Sequence, residues 1–240
     1  MPFNIISASD TAIVIEFGDA ISQELNDKVL AADAVICESN LSGIIETVPT
    51  FRSLMIHYDP RITTATELEA ALLPLVDSGQ SKGRKTSTWQ LPVCYEGEYG
   101  PDLENIANLT GVSTEQVIHL HTASPCHIYM LGFLPGQPYI GGLPEPLHLP
   151  RLSTPRVRVP RGSVAIATGL STIYPYESPG GWHLIGSTPV SLFDKHRPKP
   201  ALFAPGDSIL FKPVSTTEFK AIEKALSEGE YSVPCQEVTS

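Results

Sequence analysis

The chain has 240 residues, with 16 Lys and Arg against 26 Asp and Glu and a formal net charge of −10. That balance argues against general binding to nucleic acid or to an anionic membrane, since phosphate affinity comes from clustered Lys and Arg. Hydrophobic residues make up 42%, enough for an ordinary core in one large domain or two small ones. No apolar run has the length of a membrane span. The first ten residues lack the basic and long apolar regions of a secretory signal. Cys37, Cys94, Cys126 and Cys235 show no C-x-x-C spacing. Neither a zinc site nor a disulfide framework is expected, and a reduced cytoplasm fits the chain best.

Residues 11–17 are rich in β-branched side chains and read as a strand. Ile21, Leu25, Val29, Ala32 and Ile36 recur at helical spacing. Residues 44–48 and 54–58 read as two further strands. Thr64 and Glu67 have the spacing of a capping box, with the threonine accepting from the first turn and the glutamate reaching back. They open a helix through Leu68, Leu72 and Val76. Strands and helices in this order predict a small two-layer α/β domain over residues 1–80. Residues 77–88 are small and polar and read as a linker. Within them Gly79, Gly83, Lys85 and Thr86 mimic a phosphate-binding loop, but the spacing is wrong and a strand-like segment follows where a helix should.

A second domain is expected over residues 89–240. Helices are predicted at 101–108 and 113–121, the latter with Ser113 and Gln116 as a capping box and Val112 against Val117 as a hydrophobic staple. From Cys126 onward the pattern becomes short strands and tight turns, which suits a closed barrel or a sandwich. The last helix begins at Ser215 with Glu218 as its capping partner, and a polar tail follows.

Candidate chemistry concentrates in this second part. Arg151, Arg156, Arg158 and Arg161 fall close together, and no acid occurs between Glu145 and Glu177. Pro155 and Pro160 bracket a strand on which Arg156 and Arg158 share one face and Val157 and Val159 the other. Guanidinium groups bind carboxylate or phosphate in bidentate fashion, so the run is either an anion site or a face paired with acids elsewhere. Gly180-Gly181 would let backbone N–H groups approach a ligand beside the flat wall of Trp182, with Tyr174 and Tyr176 flanking Pro175. The same segment also reads as a structural turn with core aromatics. The peptide bond at 174–175 or 178–179 is a candidate for the cis form. Residues 132–139 form a rigid bend that walls a cleft or turns a barrel corner. His119 and His121 point apart on a helix and lack a third ligand, so no metal site is expected. His183, next to Trp182, is the better general-base candidate. No G-x-S-x-G, S-x-x-K or H-E-x-x-H pattern marks a self-contained hydrolase.

The motifs form a series: G-F-L-P-G (132–136), P-R-V-R-V-P-R-G-S-V (155–164), I-Y-P (173–175), S-P-G-G-W (178–182), G-S-T-P (186–189), L-F-D (192–194) and P-G-D (205–207). Upstream stand E-F-G (16–18), V-P-T-F-R-S-L-M-I-H-Y-D-P (48–60) and G-P-D-L (100–103). Together they resemble the family of 5-oxoprolinase B subunits (PxpB), also called allophanate hydrolase subunit 1 or the KipI family, over nearly the whole chain. The resemblance implies an α+β fold, with a cyclophilin-like β-barrel following the N-terminal α/β domain. It implies a cytoplasmic subunit of ATP-dependent 5-oxoprolinase, inactive alone. Its partners would be a companion resembling the 5-oxoprolinase C subunit and a protein resembling the A subunit. Its co-substrate would be ATP with magnesium, in opening 5-oxoproline to glutamate. Two other readings go with the same family: a KipI-like inhibitor of a sensor histidine kinase, and a component of an allophanate or urea carboxylase-type enzyme.

Carried onto this chain, the implied substrate or nucleotide contacts are Pro135, Tyr139, Arg156, Arg161, Tyr174, Pro179, Gly180, Gly181, Trp182 and Thr188. Arginines would hold phosphate or carboxylate, glycine N–H groups would bind oxygen, and aromatics would enclose the ring. No nucleophile is assignable. Three positions depart from the family pattern: Gln137 stands where an aromatic is usual, Leu170 where Gln is usual, and Ser187 where Arg is usual. Leu170 and Ser187 remove a hydrogen-bonding amide and a cation from the implied pocket; loss of a charge-assisted contact costs about 1.5–3 kcal/mol, so a different substrate or a weaker site is expected.

Overall fold

A computed structural model describes residues 3–77 and 85–239. The chain divides into two units, one running to Lys85 and taking in Thr239, the other spanning Thr86–Val238. The linker expected at 77–88 falls largely outside the described residues, as do Gly79 and Gly83 of the phosphate-loop mimic. Lys85 and Thr86 open a strand instead.

In the first unit the hydrophobic spacing builds two layers. β1 (Asn4–Ser9), β2 (Ala12–Glu16), β3 (Ile44–Pro49) and β4 (Ser53–Tyr58) form an antiparallel sheet in the order β1-β2-β4-β3. Alternate residues Ile13, Ile15, Leu54 and Ile56 point to one face and meet α1 (Gln23–Ser39) through Val29, Ala32 and Ile36. Leu68 and Leu72 of α2 (Ala65–Asp77) complete that core. Ile21 does not join it: Ser22 Oγ accepts from Leu25 N at 3.2 Å and starts α1 one residue later, leaving Ile21 54% exposed. The expected box at α2 is present, with Thr64 N donating to Glu67 Oε2 at 2.9 Å and Glu67 N to Thr64 Oγ1 at 3.3 Å.

The second unit is a barrel with attached helices. Its elements are β5 (Lys85–Cys94), α3 (Leu103–Thr110), α4 (Thr114–Thr122), β6 (Cys126–Leu131), β7 (Pro138–Gly141), β8 (Arg156–Val159), β9 (Ser163–Ala167), β10 (Leu170–Ile173), β11 (Ser178–Gly180), β12 (His183–Ser187), β13 (Ser208–Val214), α5 (Thr216–Glu228) and β14 (Cys235–Thr239). The large sheet runs β12-β9-β10-β7-β6-β13-β5-β14. β12 also meets β5 at Ser187–Cys94, which closes seven strands on themselves. Leu91, Val93, Ile128, Ile140, Val164, Ile166, Ile185, Ile209 and Phe211 make the main core, joined by Ile106 of α3 and Val117 of α4. Ser113 Oγ accepts from Gln116 N at 3.2 Å at the start of α4, and Ser215 and Glu218 form the complete capping box of α5. The mixed α+β architecture expected from the motifs is therefore the one observed. No helix among the described residues is long and apolar enough to cross a membrane.

Three local expectations fail for physical reasons. The polar tail is a strand: β14 pairs with β5, and Gln90 N donates to Pro234 O at 2.9 Å. Strand pairing uses main-chain groups whatever the side chains are. β5 is long, and β12 meets it only at Cys94, so the rest of that edge is open for β14 to cover. On β8 the two valines do not share a buried face. Four residues, Arg156–Val159, oppose three on β11, with Val159 facing Ser178 and Arg156 facing Gly180. The extra residue makes a β-bulge, which breaks the alternation, so Val159 is fully buried while Val157 is 83% exposed. Finally, every described peptide bond is trans, including 174–175 and 178–179.

Candidate functional site

The rigid bend after β6 is held by its own backbone. Gly132 N donates to Gln137 O and Gln137 N to Leu134 O, both at 3.0 Å. Gly136 takes φ 77°, and Phe133 takes φ 69°, a left-handed conformation rare for a bulky residue. The bend turns Gln137 inward, to 2% exposure, and Phe133 outward, to 66%.

A second segment, residues 150–155, lies against the start of β12. Leu152 N donates to Gly181 O at 2.7 Å. His183 Nε2 lies 2.9 Å from Pro150 O; a carbonyl only accepts, so this nitrogen carries the proton. Arg151 is thus pinned on both sides. Its guanidinium carbon sits 5.7 Å from the centre of the Trp182 ring, in cation–π range. Trp182 in turn meets Tyr139 edge-on at 6.1 Å.

Between these segments opens a cleft of about 270 Å³, walled by Tyr139, Tyr174 and Trp182, with Phe133, Gln137, Arg151, Leu152 and Pro155 around them and Pro179, Gly180 and Gly181 of β11 and the following turn on one side. Gly180 is required here: a Cβ would run into the Tyr174 hydroxyl and approach Val159 to 3.0 Å. Burial raises the pKa of Tyr139, with Arg151 opposing it. Burial also raises that of Tyr174, reinforced by Tyr139 and opposed by Arg151 and Arg156. Both phenols stay protonated at neutral pH, and the charge of Arg151 is felt by each.

Of the residues expected from sequence, Tyr139, Tyr174, Pro179, Gly180, Gly181 and Trp182 come together in this cleft. The other four lie elsewhere. Pro135 is exposed in the bend and lines no part of the cleft. Arg161 is exposed, with no ion pair among the described residues. Thr188 is buried, and its hydroxyl accepts from Val190 N at 3.3 Å. Arg156 is already engaged: Nη2 donates to Asp102 Oδ1 at 2.6 Å and Nη1 to Trp182 O at 3.4 Å. Arg158 is held by Glu177 at 3.0 and 2.7 Å. The arginine that lines the cleft is Arg151 instead, another member of the run. His183 is buried but does not line the cleft, so it positions the Arg151 segment and is not placed as a general base. No carboxylate lines the cleft, and no cluster of three His, Cys, Asp or Glu suited to a metal exists among the described residues.

Asp102 organises the wall behind Arg156. Its Oδ1 accepts from Arg156, and its Oδ2 accepts from Leu184 N at 2.6 Å, tying the start of α3 to β8 and β12. Asp102→Ala leaves a partly buried guanidinium and a buried N–H without an acceptor. It is expected to cost about 2 kcal/mol in urea unfolding, with Asp102→Asn costing less because its oxygen still accepts.

The family of the carboxyltransferase domain, subdomain C and D, matches residues 3–203. The 5-oxoprolinase B subunit of Bacillus subtilis is 38% identical over 237 residues, covering 92% of this chain and 97% of its own. The solved TTHA0988 chain superposes with a TM-score of 0.76 at 35% identity over 85% of this chain, which spans 40% of the length of that one. The urea amidolyase of K. lactis superposes with a TM-score of 0.83 over 99% of this chain and 16% of its own; at 21% identity this is a likeness of fold.

Proposed function

The chain belongs to the family of the carboxyltransferase domain, subdomain C and D, with the 5-oxoprolinase B subunits among its relatives, and from that premise we propose that it is a cytoplasmic 5-oxoprolinase component, acting with companion subunits in the ATP-driven opening of 5-oxoproline to glutamate. The observation that carries this reading is the cleft at Arg151. 5-Oxoproline is a small flat lactam bearing one carboxylate. Tyr139, Tyr174 and Trp182 offer apolar walls for the ring, and Arg151 offers a fork for the carboxylate. A volume of about 270 Å³ lies just under the roughly 300–1,000 Å³ of sites for drug-sized ligands. It suits the small acid better than a whole nucleotide.

ATP would supply activation of the resonance-stabilised amide. With Arg156 and Arg158 already paired and no carboxylate in the cleft, magnesium would be held by the phosphates themselves. The remaining phosphate-binding charge is assigned to a companion protein. Among the described residues the cleft is lined by no Ser, Cys, His or acid, so this chain would bind and orient the lactam while the partner completes the chemistry. Phe133, which lines the cleft and is 66% exposed, gives that partner an apolar contact at the mouth of the cleft.

The test is reconstitution. Co-expression with the companion subunits is expected to give a complex whose ATP hydrolysis depends on 5-oxoproline, while the chain alone shows none. A complex whose ATP hydrolysis ignores 5-oxoproline, or one that forms no glutamate, overturns the reading.

A further inference from the structure

Gln137 is one of the residues lining the cleft, and one buried atom of its side-chain amide has no partner among the described residues; the surrounding bonds identify it. Gln137 Nε2 lies 3.0 Å from Thr172 Oγ1, and that hydroxyl lies 2.8 Å from Pro138 O. A carbonyl only accepts, so the single hydroxyl proton is committed to Pro138 and Thr172 Oγ1 must accept from Gln137. The amide group facing Thr172 is therefore NH2, and the group left over is the oxygen. Gln137 Oε1 is buried, and no hydrogen-bond donor among the described residues reaches it. Leaving such an acceptor unmet costs about 1–3 kcal/mol, a cost that a ligand donor removes. The acceptor is also pre-positioned, because both backbone groups of Gln137 are bonded within the bend.

We propose that Gln137 is the specificity residue of this cleft: its Oε1 accepts the ring N–H of a small cyclic amide acid whose carboxylate rests on Arg151. The proposal builds on the 5-oxoprolinase reading and adds the group that recognises the ring. In 5-oxoproline the N–H and the carboxylate stand on adjacent ring atoms, so one ligand presents both to one cleft. A ring oxygen in place of the N–H would set lone pair against lone pair at Gln137. A fully apolar ring would leave the oxygen as unmet as it is in the free protein.

The test uses the complex of this chain with its companion subunits, and two ligands: 5-oxoproline, and the γ-lactone acid in which oxygen replaces the ring N–H. Turnover of 5-oxoproline gives KM and kcat, and inhibition by the lactone gives its affinity. The wild-type complex is expected to bind the lactone on the order of tenfold more weakly than 5-oxoproline. Gln137→Met keeps the side-chain length and removes the acceptor. It is expected to erase that preference by raising KM for 5-oxoproline, with kcat within about twofold of wild type. A wild-type complex that turns over 5-oxoproline but binds the two ligands within about threefold of each other overturns this inference alone. So does a folded Gln137→Met complex that keeps the full preference, and the wild-type comparison decides the matter even where the variant does not fold. A complex with neither turnover nor calorimetric binding of 5-oxoproline overturns the functional reading and this inference with it.

Discussion

The stability of the protein is expected to fall steadily as pH drops from about 6.5 toward 4, with His121 as the main cause. This residue of α4 is 1% exposed and stacks on Phe211 at 4.1 Å. Its Nδ1 lies 2.8 Å from the Tyr95 hydroxyl and its Nε2 3.2 Å from Ser171 Oγ. The Ser171 hydroxyl donates to Ala165 O, so Nε2 carries the ring proton toward Ser171 and Nδ1 accepts from Tyr95. Burial keeps the Tyr95 phenol protonated well above its usual range. A second proton on the ring would displace the Tyr95 bond and bury a charge without a counter-ion. Burial accordingly holds the His121 pKa down to about 3. Between that value and the ordinary one near 6.5, the unfolded chain binds a proton that the folded chain refuses. Stability therefore drops with falling pH by up to about 1.4 kcal/mol per unit, or about 3 kcal/mol by pH 4. Urea midpoints measured between pH 7.5 and 4 check this. His121→Phe should lower stability at pH 7 by about 1–2 kcal/mol, because Tyr95 loses its acceptor, and should flatten the pH dependence. A slope as steep as wild type in the variant would show that His121 is not the group whose protonation sets the acid loss.

What could be read from the sequence was what local rules decide. The boxes at Thr64 and Ser215 are written within four residues, and the structure closes them as spaced. The aromatic and glycine side of the cleft was legible for the same reason, since residues 178–182 are contiguous and Tyr174 lies just upstream. The division of labour among the arginines was not. Arg156 is neutralised by Asp102, 54 positions away, and Arg158 by Glu177, 19 positions away. Nothing within residues 151–161 separates those two from Arg151. Strand β14 was hidden because its pairing depends on an open edge of β5, a property of the barrel and not of its own polar side chains. The split of Val157 from Val159 follows from a bulge set by the partner strand. The unmet oxygen of Gln137 exists only once Thr172 and Pro138 have been brought beside it.

Arg151→Ala is expected to raise KM for 5-oxoproline by about ten- to a hundredfold, the loss of a charge-assisted bond worth about 1.5–3 kcal/mol. The guanidinium is exposed and stacked on Trp182, and no ion pair at Arg151 occurs among the described residues. Stability should change by less than about 1 kcal/mol, the worth of an exposed cation–π contact. Arg151→Lys keeps the charge but loses the planar fork and its stacking, so its KM should fall between those of wild type and the alanine variant. An independent readout comes from the neighbouring phenols. Arg151 lowers the pKa of both Tyr139 and Tyr174 against the effect of burial, so its removal should move tyrosine ionisation, followed by ultraviolet absorbance, to higher pH. Arg158→Ala supplies the contrast. Its guanidinium is paired with Glu177 in solvent, where such pairs contribute about 0–1 kcal/mol, and KM should stay within about twofold of wild type. If Arg158→Ala or Arg161→Ala raised KM while Arg151→Ala left it unchanged, the carboxylate would be held by the arginines on or beside β8, and the aromatic cleft would not be where the lactam binds.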